Sequence, residues 1–268
     1  MIDRLISEFG IGYFKLDYNI NPGAGTDLGA DSVGAGLLAH NRAHLAWIDS
    51  VLDRHPGLVL ENCASGAMRM DFAMLSRMQL QSTSDQQDFR RYPPIAAAAP
   101  LSTTPEQAAN WTSPQPFMTD EENALTLATS ILGRFYLSGW IDSMSPEQLD
   151  LVRSAVALNT ELTDIIRSAH PVWPLGLPGW DDPWVCLGLA TQDSRLFTVW
   201  NLSEDHEDAV LKFPDLIGAD VRVRPIFPLT LVEWPTRWDR NAGALHIRNP
   251  THAVGARVFE LSLSSTGA

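Results

Sequence analysis

Cysteine is scarce in this 268-residue chain. Only Cys63 and Cys186 are present, far apart, so no disulfide framework is expected and a C-x-x-C metal site is excluded. Two free thiols fit a reducing, cytoplasmic compartment. Basic charge is short as well: 19 Lys and Arg stand against 32 Asp and Glu, a formal charge of −13. That balance repels phosphate backbones and anionic membrane surfaces, and speaks against nucleic acid or a membrane as partner. The opening "MIDRLISEFGIGYF" carries acidic residues and no long apolar run. It therefore reads as the interior of a domain, not as a signal peptide or membrane helix. Solenoid repeats are absent, and low complexity is confined to Ala96–Ala99. What is there is an ordinary folded composition, 45% hydrophobic and 19% charged, enough for one large or two smaller domains.

Strand and helix signals alternate up to about residue 170. "IGYFKLDY" (11–18) is an apolar run ending in polar residues, the pattern of a buried strand whose C-terminal end opens into a site. Residues 20–31 predict a loop, and 32–57 a helix stopped by Pro56-Gly57. "GLVLEN" (57–62) and "LQSTSD" (80–85) predict strands, with a helix over 69–78 between them. Residues 92–117 read as a looser stretch. A helix with an acidic first turn is expected after Thr119, and a longer one over 145–166 with Ser145 as N-cap. Such alternation predicts a parallel sheet. Beyond His170 a Pro-, Gly- and Trp-rich connector leads into "WVCLGLAT", "RLFTVWNL", "DAVLKF", "VRVRPIF", "LVEW", "ALHIRN" and "ARVFELSL". Short alternating runs between turn residues predict an antiparallel sandwich. The expected domains are thus 1–169, α/β, and 170–268, a β-sandwich.

In parallel α/β folds reactive groups gather at the C-terminal ends of strands. Lys15, Asp17 and Asn19 alternate along the first such end, and residues two apart on a strand share a face. Glu61, Asn62 and Cys63 occupy the second end, and Ser84, Asp85 and Asp88 the third. Two carboxyl groups from different strand ends are what glycoside hydrolysis needs, one ionised to attack and one protonated to release the leaving oxygen. Lys15 would keep Asp17 ionised. Asp85 has no basic neighbour before Arg90 and Arg91, which suits an acid with a raised pKa. Carboxylates at strand ends also serve sugar-phosphate, metal and nucleotide enzymes.

Three segments narrow this. "YFKLDYN" resembles the Lys-x-Asp-x-Asn strand of the melibiase-type α-galactosidases, glycoside hydrolase family 36 and its clan. "CASGAMRMD" and "TSDQQD" are similar to that family's Cys-Ser-Gly-Gly-Gly-x-Arg-x-Asp and Thr-Ser-Asp-x-x-Asp segments, in the same order and at similar separation. The resemblance covers about residues 1–170, with a β-rich region after it of the kind the family carries. It implies the C-terminal portion of a (β/α)8 TIM-type barrel followed by an antiparallel β-sandwich. It also implies a retaining hydrolase that removes terminal α-linked galactose by double displacement, with no metal and no other cofactor. Asp17 would be the nucleophile, Asp85 the acid/base, and Lys15 a hydrogen-bond donor to the galactose. Cys63 and Gly66 would line the sugar near its 2-hydroxyl, Asn19 would complete the substrate-binding set, and Arg69 and Asp71 would support the loop. The expected partner is an α-galactoside oligosaccharide such as melibiose or raffinose, and a homo-oligomer is allowed. The alternatives are an α-N-acetylgalactosaminidase or transglycosylase of the same clan, or a non-catalytic carbohydrate-binding barrel remnant.

The departures bear on specificity. Leu16 stands where the family commonly has Trp, Gln81-Ser82 where a Trp precedes Thr-Ser-Asp, and Ala64 and Ala67 where it has Ser and Gly. Nothing matches the family's N-terminal β-domain or earlier barrel strands, so the chain is expected to be a fragment, inactive alone. Glu61 matches no catalytic position and is set aside, and Asp71 and Asp88 are expected to be structural. The Gly23-x-Gly25 loop lacks the third glycine of a dinucleotide fingerprint. His40 and His44 have zinc-like spacing without the intervening glutamate. Asn110-Trp111-Thr112 and Asn201-Leu202-Ser203 are sequons. Trp111, Trp140, Trp173, Trp180 and Trp184 are expected in loops or near the domain junction, where aromatic faces can stack on sugars or simply pack.

Overall fold

The computed structural model describes residues 1–263. Packing divides the chain into two compact units, Met1–Asp85 and Gln86–Ala268.

The first unit runs α1 (Ile2–Phe9), β1 (Tyr13–Asp17), α2 (Ala35–Arg54), β2 (Val59–Cys63), α3 (Phe72–Leu75) and β3 (Leu80–Ser82). β1 pairs with β2 and β2 with β3, both in parallel, as the intervening helices require. One face of these strands is apolar. Leu60, with the half-buried Phe14 and Leu16, packs on Ile48 and Val51 of α2 and on Met74 and Met78. Alternation along a strand puts Tyr13, Lys15, Asp17, Glu61 and Cys63 on the other face. The first strand is therefore apolar on one side and chemically equipped on the other, not buried all round. Asp3 ties α1 to the end of α2: Arg54 Nε and His55 Nε2 approach its Oδ1 at 3.0 and 2.7 Å. These hydrogen bonds, Arg54 first, hold the Asp3 carboxyl down to about 2.

The second unit begins with α4 (Tyr92–Ala98), β4 (Ala108–Thr112), α5 (Asp120–Ile131), β5 (Arg134–Leu137), α6 (Pro146–Glu161) and α7 (Thr163–Ser168). It continues with β6 (His170–Val172), β7 (Trp184–Ala190), β8 (Ser194–Asn201), β9 (Asp208–Lys212), β10 (Val221–Phe227), β11 (Thr236–Asp239), β12 (Ala244–Arg248) and β13 (Gly255–Leu263). β4 and β5 pair in parallel. The later strands form two antiparallel sheets, β10-β13-β8-β7-β6 and β11-β12-β9. Trp184, Cys186, Phe197 and Phe259 of the larger sheet meet Leu211, Phe213, Trp234 and Leu245 in a core. The opposite face of that sheet, Val185, Leu187, Leu189, Trp200 and Val258, packs against Leu125, Leu127 and Ile131 of α5 and Leu151 and Val152 of α6. Helices end at Ser168, near the residue where the expected domain boundary falls, but the contacts divide at 85/86, because α5 and α6 share this second core with the sheet.

Several elements differ from expectation. Residues 92–117 are not loose: they hold α4, with prolines in its first turn where no N–H is needed, and β4, four-fifths of it buried. The helix expected over 69–78 shortens to α3, N-capped by Asp71, whose Oδ1 accepts the Met74 N–H at 2.9 Å. The strand expected over 80–85 stops at Ser82, the helix over 145–166 divides at Leu162, and the strand after Val232 is Thr236–Asp239 and not "LVEW". Trp111 and Trp184 lie in strands, Trp140 and Trp180 are exposed, and Trp173 Nε1 donates to Ala97 O. Asn110 and Asn201 are 3% and 1% exposed, so neither sequon presents an acceptor side chain.

Arg257 of β13 is the buried charge of the second unit. At 1% exposure it donates two hydrogen bonds to Glu121 in the first turn of α5, at 2.7 and 2.8 Å, and another to Val232 O at 2.7 Å. The Trp234 ring lies 4.7 Å from its Cζ. Gly255 leaves room for the acid, since a Cβ there would stand 2.7 Å from Glu121 Oε2. Glu121→Gln is expected to lower the stability of this unit in urea unfolding by about 3–5 kcal/mol, because the arginine stays buried without its counter-charge. Arg153→Ala, which breaks an exposed pair with Asp150, is expected to leave the unfolding midpoint in place.

Candidate active site

The β1–β2 register sets Lys15 opposite Glu61 and Asp17 opposite Cys63. Asp17 is exposed at the strand end, whereas Cys63 is 1% exposed. A hydrogen bond from the Cys63 thiol is the first reason that the Asp17 carboxyl lies below its ordinary value. Partial burial opposes it, and the Asn19 side chain, the Ser65 backbone N–H and the Lys15 charge add to it in that order. The expectation that Lys15 keeps Asp17 ionised is thus corrected: its charge acts in the expected direction but contributes least. The ammonium instead lies 3.5 Å from Glu61 Oε1. Burial pushes the Cys63 thiol up, so it remains protonated and able to donate.

The loop after Cys63 connects the two carboxylates. Ser65 has φ of 47°, a left-handed conformation that costs a side-chain-bearing residue about 1–2 kcal/mol. Asn19 offsets that cost, its Oδ1 accepting the Ser65 N–H at 2.6 Å and the Ser65 hydroxyl at 3.3 Å. Gly66, at φ 79°, bridges to Ser84. A Cβ on Gly66 would lie 2.5 Å from Ser84 Cα and 2.9 Å from Asp85 N, so only glycine lets the loop rest on this backbone. Asp85 follows directly, its side chain exposed. Lys15, Asp17, Asn19, Cys63, Gly66 and Asp85 therefore all belong to one unit, in which Asp17, Asn19, Cys63 and Ser65 interact directly.

Arg69 braces the entry to the site. Its guanidinium stacks 3.8 Å over the Tyr18 ring and donates to Tyr18 O at 3.0 Å and Ile20 O at 2.9 Å. The Tyr18 hydroxyl meets His40 Nε2 at 2.6 Å, and the His44 ring lies 5.3 Å from the Tyr18 ring. The zinc-like spacing of the two histidines thus serves packing on Tyr18. Asp88 lies in the second unit, where its Oδ1 accepts the Arg90 N–H at 2.9 Å. Among the described residues, no group of three His, Cys, Asp or Glu is placed to hold a metal ion, and no helix is long and apolar enough to cross a membrane. A groove of about 560 Å³ beside α6, lined by Leu151, Leu158 and Phe227, includes none of the sequence-predicted residues.

Glu61 is the residue that sequence reasoning passed over. It is mid-strand, 0% exposed, and accepts a hydrogen bond from the Tyr13 hydroxyl. The available signal was an acid inside the apolar run "GLVLEN", two residues from Cys63 and so on the same face.

No protein-family model matches the sequence, and no curated protein matches it. Solved structures do. The galactosidase domain of the α-galactosidase-sucrose kinase AgaSK aligns with a TM-score of 0.76 over 98% of this chain at 17% identity. The α-galactosidase of Lactobacillus brevis aligns over 100% at 14% identity and a TM-score of 0.73. The family 36 α-galactosidase AgaA of Geobacillus stearothermophilus, in complex with raffinose, aligns over 98% at 13% identity and a TM-score of 0.73. The chain has the fold of part of these family 36 enzymes. It spans 36% or 37% of their length, and at such identities the likeness establishes the fold alone. The AgaA complex with raffinose carries an Asp-to-Asn variant and the complex with stachyose an Asp-to-Ala variant, 70 positions apart.

Gly66→Ala is expected to lower the melting temperature clearly, at a cost of about 2 kcal/mol or more from strain and displacement of Ser84. Asn19→Ala is expected to cost less, about 1 kcal/mol, the scale of a lost hydrogen bond. Denaturant titration of both variants checks the order.

Proposed function

We propose that this chain supplies the later strands of a (β/α)8 barrel, and the β-sandwich that follows them, to a retaining glycoside hydrolase acting on terminal α-linked galactose. The observation that carries this reading is that Asp17 is kept anionic by the Cys63 thiol while Gly66, three residues on, rests on the Ser84 backbone immediately before Asp85. One carboxylate is prepared to attack, and a second follows β3, the next strand but one in the sheet, giving the two carboxyl groups that double displacement requires. The fold of family 36 α-galactosidases supports the substrate class. So does the spacing of the two aspartates, 68 positions here against the 70 between the aspartates varied in AgaA.

In this mechanism the Asp17 carboxylate attacks the anomeric carbon while the Asp85 carboxylic acid protonates the departing glycosidic oxygen. A β-galactosyl ester on Asp17 results. Asp85, now a carboxylate, takes a proton from water, which attacks the anomeric carbon and displaces the Asp17 carboxylate, releasing galactose with its α configuration retained. Lys15 donates to a sugar hydroxyl, and the Cys63–Gly66 loop borders the sugar on the side of its 2-hydroxyl.

The test uses this chain together with any coding sequence that extends it, assayed with 4-nitrophenyl α-galactoside. Asp17→Gly with azide is expected to yield β-galactosyl azide, and no turnover by the unmutated protein would sink the assignment. Cys63→Ala removes a donor that favours the carboxylate, so the Asp17 pKa rises. The acid limb of the kcat/KM profile is then expected to move to higher pH.

A further inference from the structure

The face shared by β1 and β2 carries one more acid than double displacement uses. Glu61 is 0% exposed and stands opposite Lys15 in the strand register. The Tyr13 hydroxyl donates to its Oε2, and the Lys15 ammonium lies 3.5 Å from its Oε1. Tyr13, Lys15 and Asp17 follow at two-residue intervals on one face of β1. Lys15 is 29% exposed while its acid partner is wholly covered, and its charge is felt at Asp17. The ammonium therefore sits between a buried anchor and the open end of the site.

A lysine stem has many rotamers, and its ammonium offers three donors around a compact charge. Left free on a strand, such a group samples many positions. Removing a carboxylate from water is costly, and the attraction offsets that cost only when the geometry is good and the remaining lone pairs are hydrogen-bonded. Tyr13 supplies such a hydrogen bond. We propose that Glu61 is a positioning residue: with Tyr13 it fixes the Lys15 ammonium so that its outward donors face a sugar hydroxyl beside Asp17. The proposal rests on the functional reading above, in which Lys15 contacts the galactose.

The chain has two lysines, Lys15 and Lys212, so acetylation by an N-hydroxysuccinimide ester, followed by mass spectrometry, reports Lys15 against an internal reference. Glu61→Gln is expected to raise the Lys15-to-Lys212 labelling ratio severalfold, and Tyr13→Phe to raise it less. With turnover as the second readout, Glu61→Gln is expected to raise KM for the α-galactoside about tenfold, some 1.4 kcal/mol of binding, with kcat largely kept. In a Lys15→Met background the same change should add almost nothing. A merely structural glutamate would instead cost equally in both backgrounds. That additivity, an unchanged labelling ratio, or an unchanged KM overturns the proposal. Tyr13→Phe keeps the test available if Glu61→Gln fails to fold. If the unmutated protein hydrolyses no α-galactoside, the functional reading fails on its own, while an unchanged labelling ratio would still overturn the inferred anchoring.

Discussion

The contact between a buried thiol and an exposed carboxylate organises the first unit. Cys63 is buried, with the Ser82 side chain and the Gly66 backbone as hydrogen-bond partners, and burial keeps it protonated. A protonated thiol can donate, so Asp17 receives an aimed hydrogen bond in addition to whatever water supplies. The same enclosure requires small residues in the 64–67 loop, and small residues let that loop reach the end of β3. Orientation of the first carboxylate and placement of the second thus depend on a single tight turn.

Much of this was legible in the sequence, because the chemistry lies in short local patterns. Alternation alone puts Lys15 and Asp17 on one face, and the order of the three segments predicts which strand ends meet. Glu61 was not legible, since its meaning depends on register with Lys15, 46 positions earlier. The weight of Lys15 at Asp17 was overestimated for the same reason: a neighbour two residues away looks decisive until the partner across the strand is known. The resemblance marked Gly66 only as lining the sugar, and its steric necessity appears when Ser84 is set against it. Residues 92–117 were misread because Pro93 and Pro94 look like breakers, although at the start of a helix proline costs nothing.

The second unit shows the opposite balance. β7, β8, β9, β10, β12 and β13 could be located from short apolar runs, whereas β4, β5, β6 and β11 could not, and neither could the way they pack. β7 is buried along its whole length, with Trp184 and Cys186 facing one core and Val185, Leu187 and Leu189 the other. A strand covered on both faces reads simply as hydrophobic, with no indication that helices form one of the covers.

The bond from Arg257 to Glu121 joins residues 136 positions apart, and it runs from a strand of the sandwich into the first turn of a helix that precedes it. This part of the molecule is therefore not a detachable appendage. A recombination or truncation point at residue 170 would cut through a core and strip α5 and α6 of the surface they rest on. α5 and α6 thus belong with the β-sandwich in one packed core.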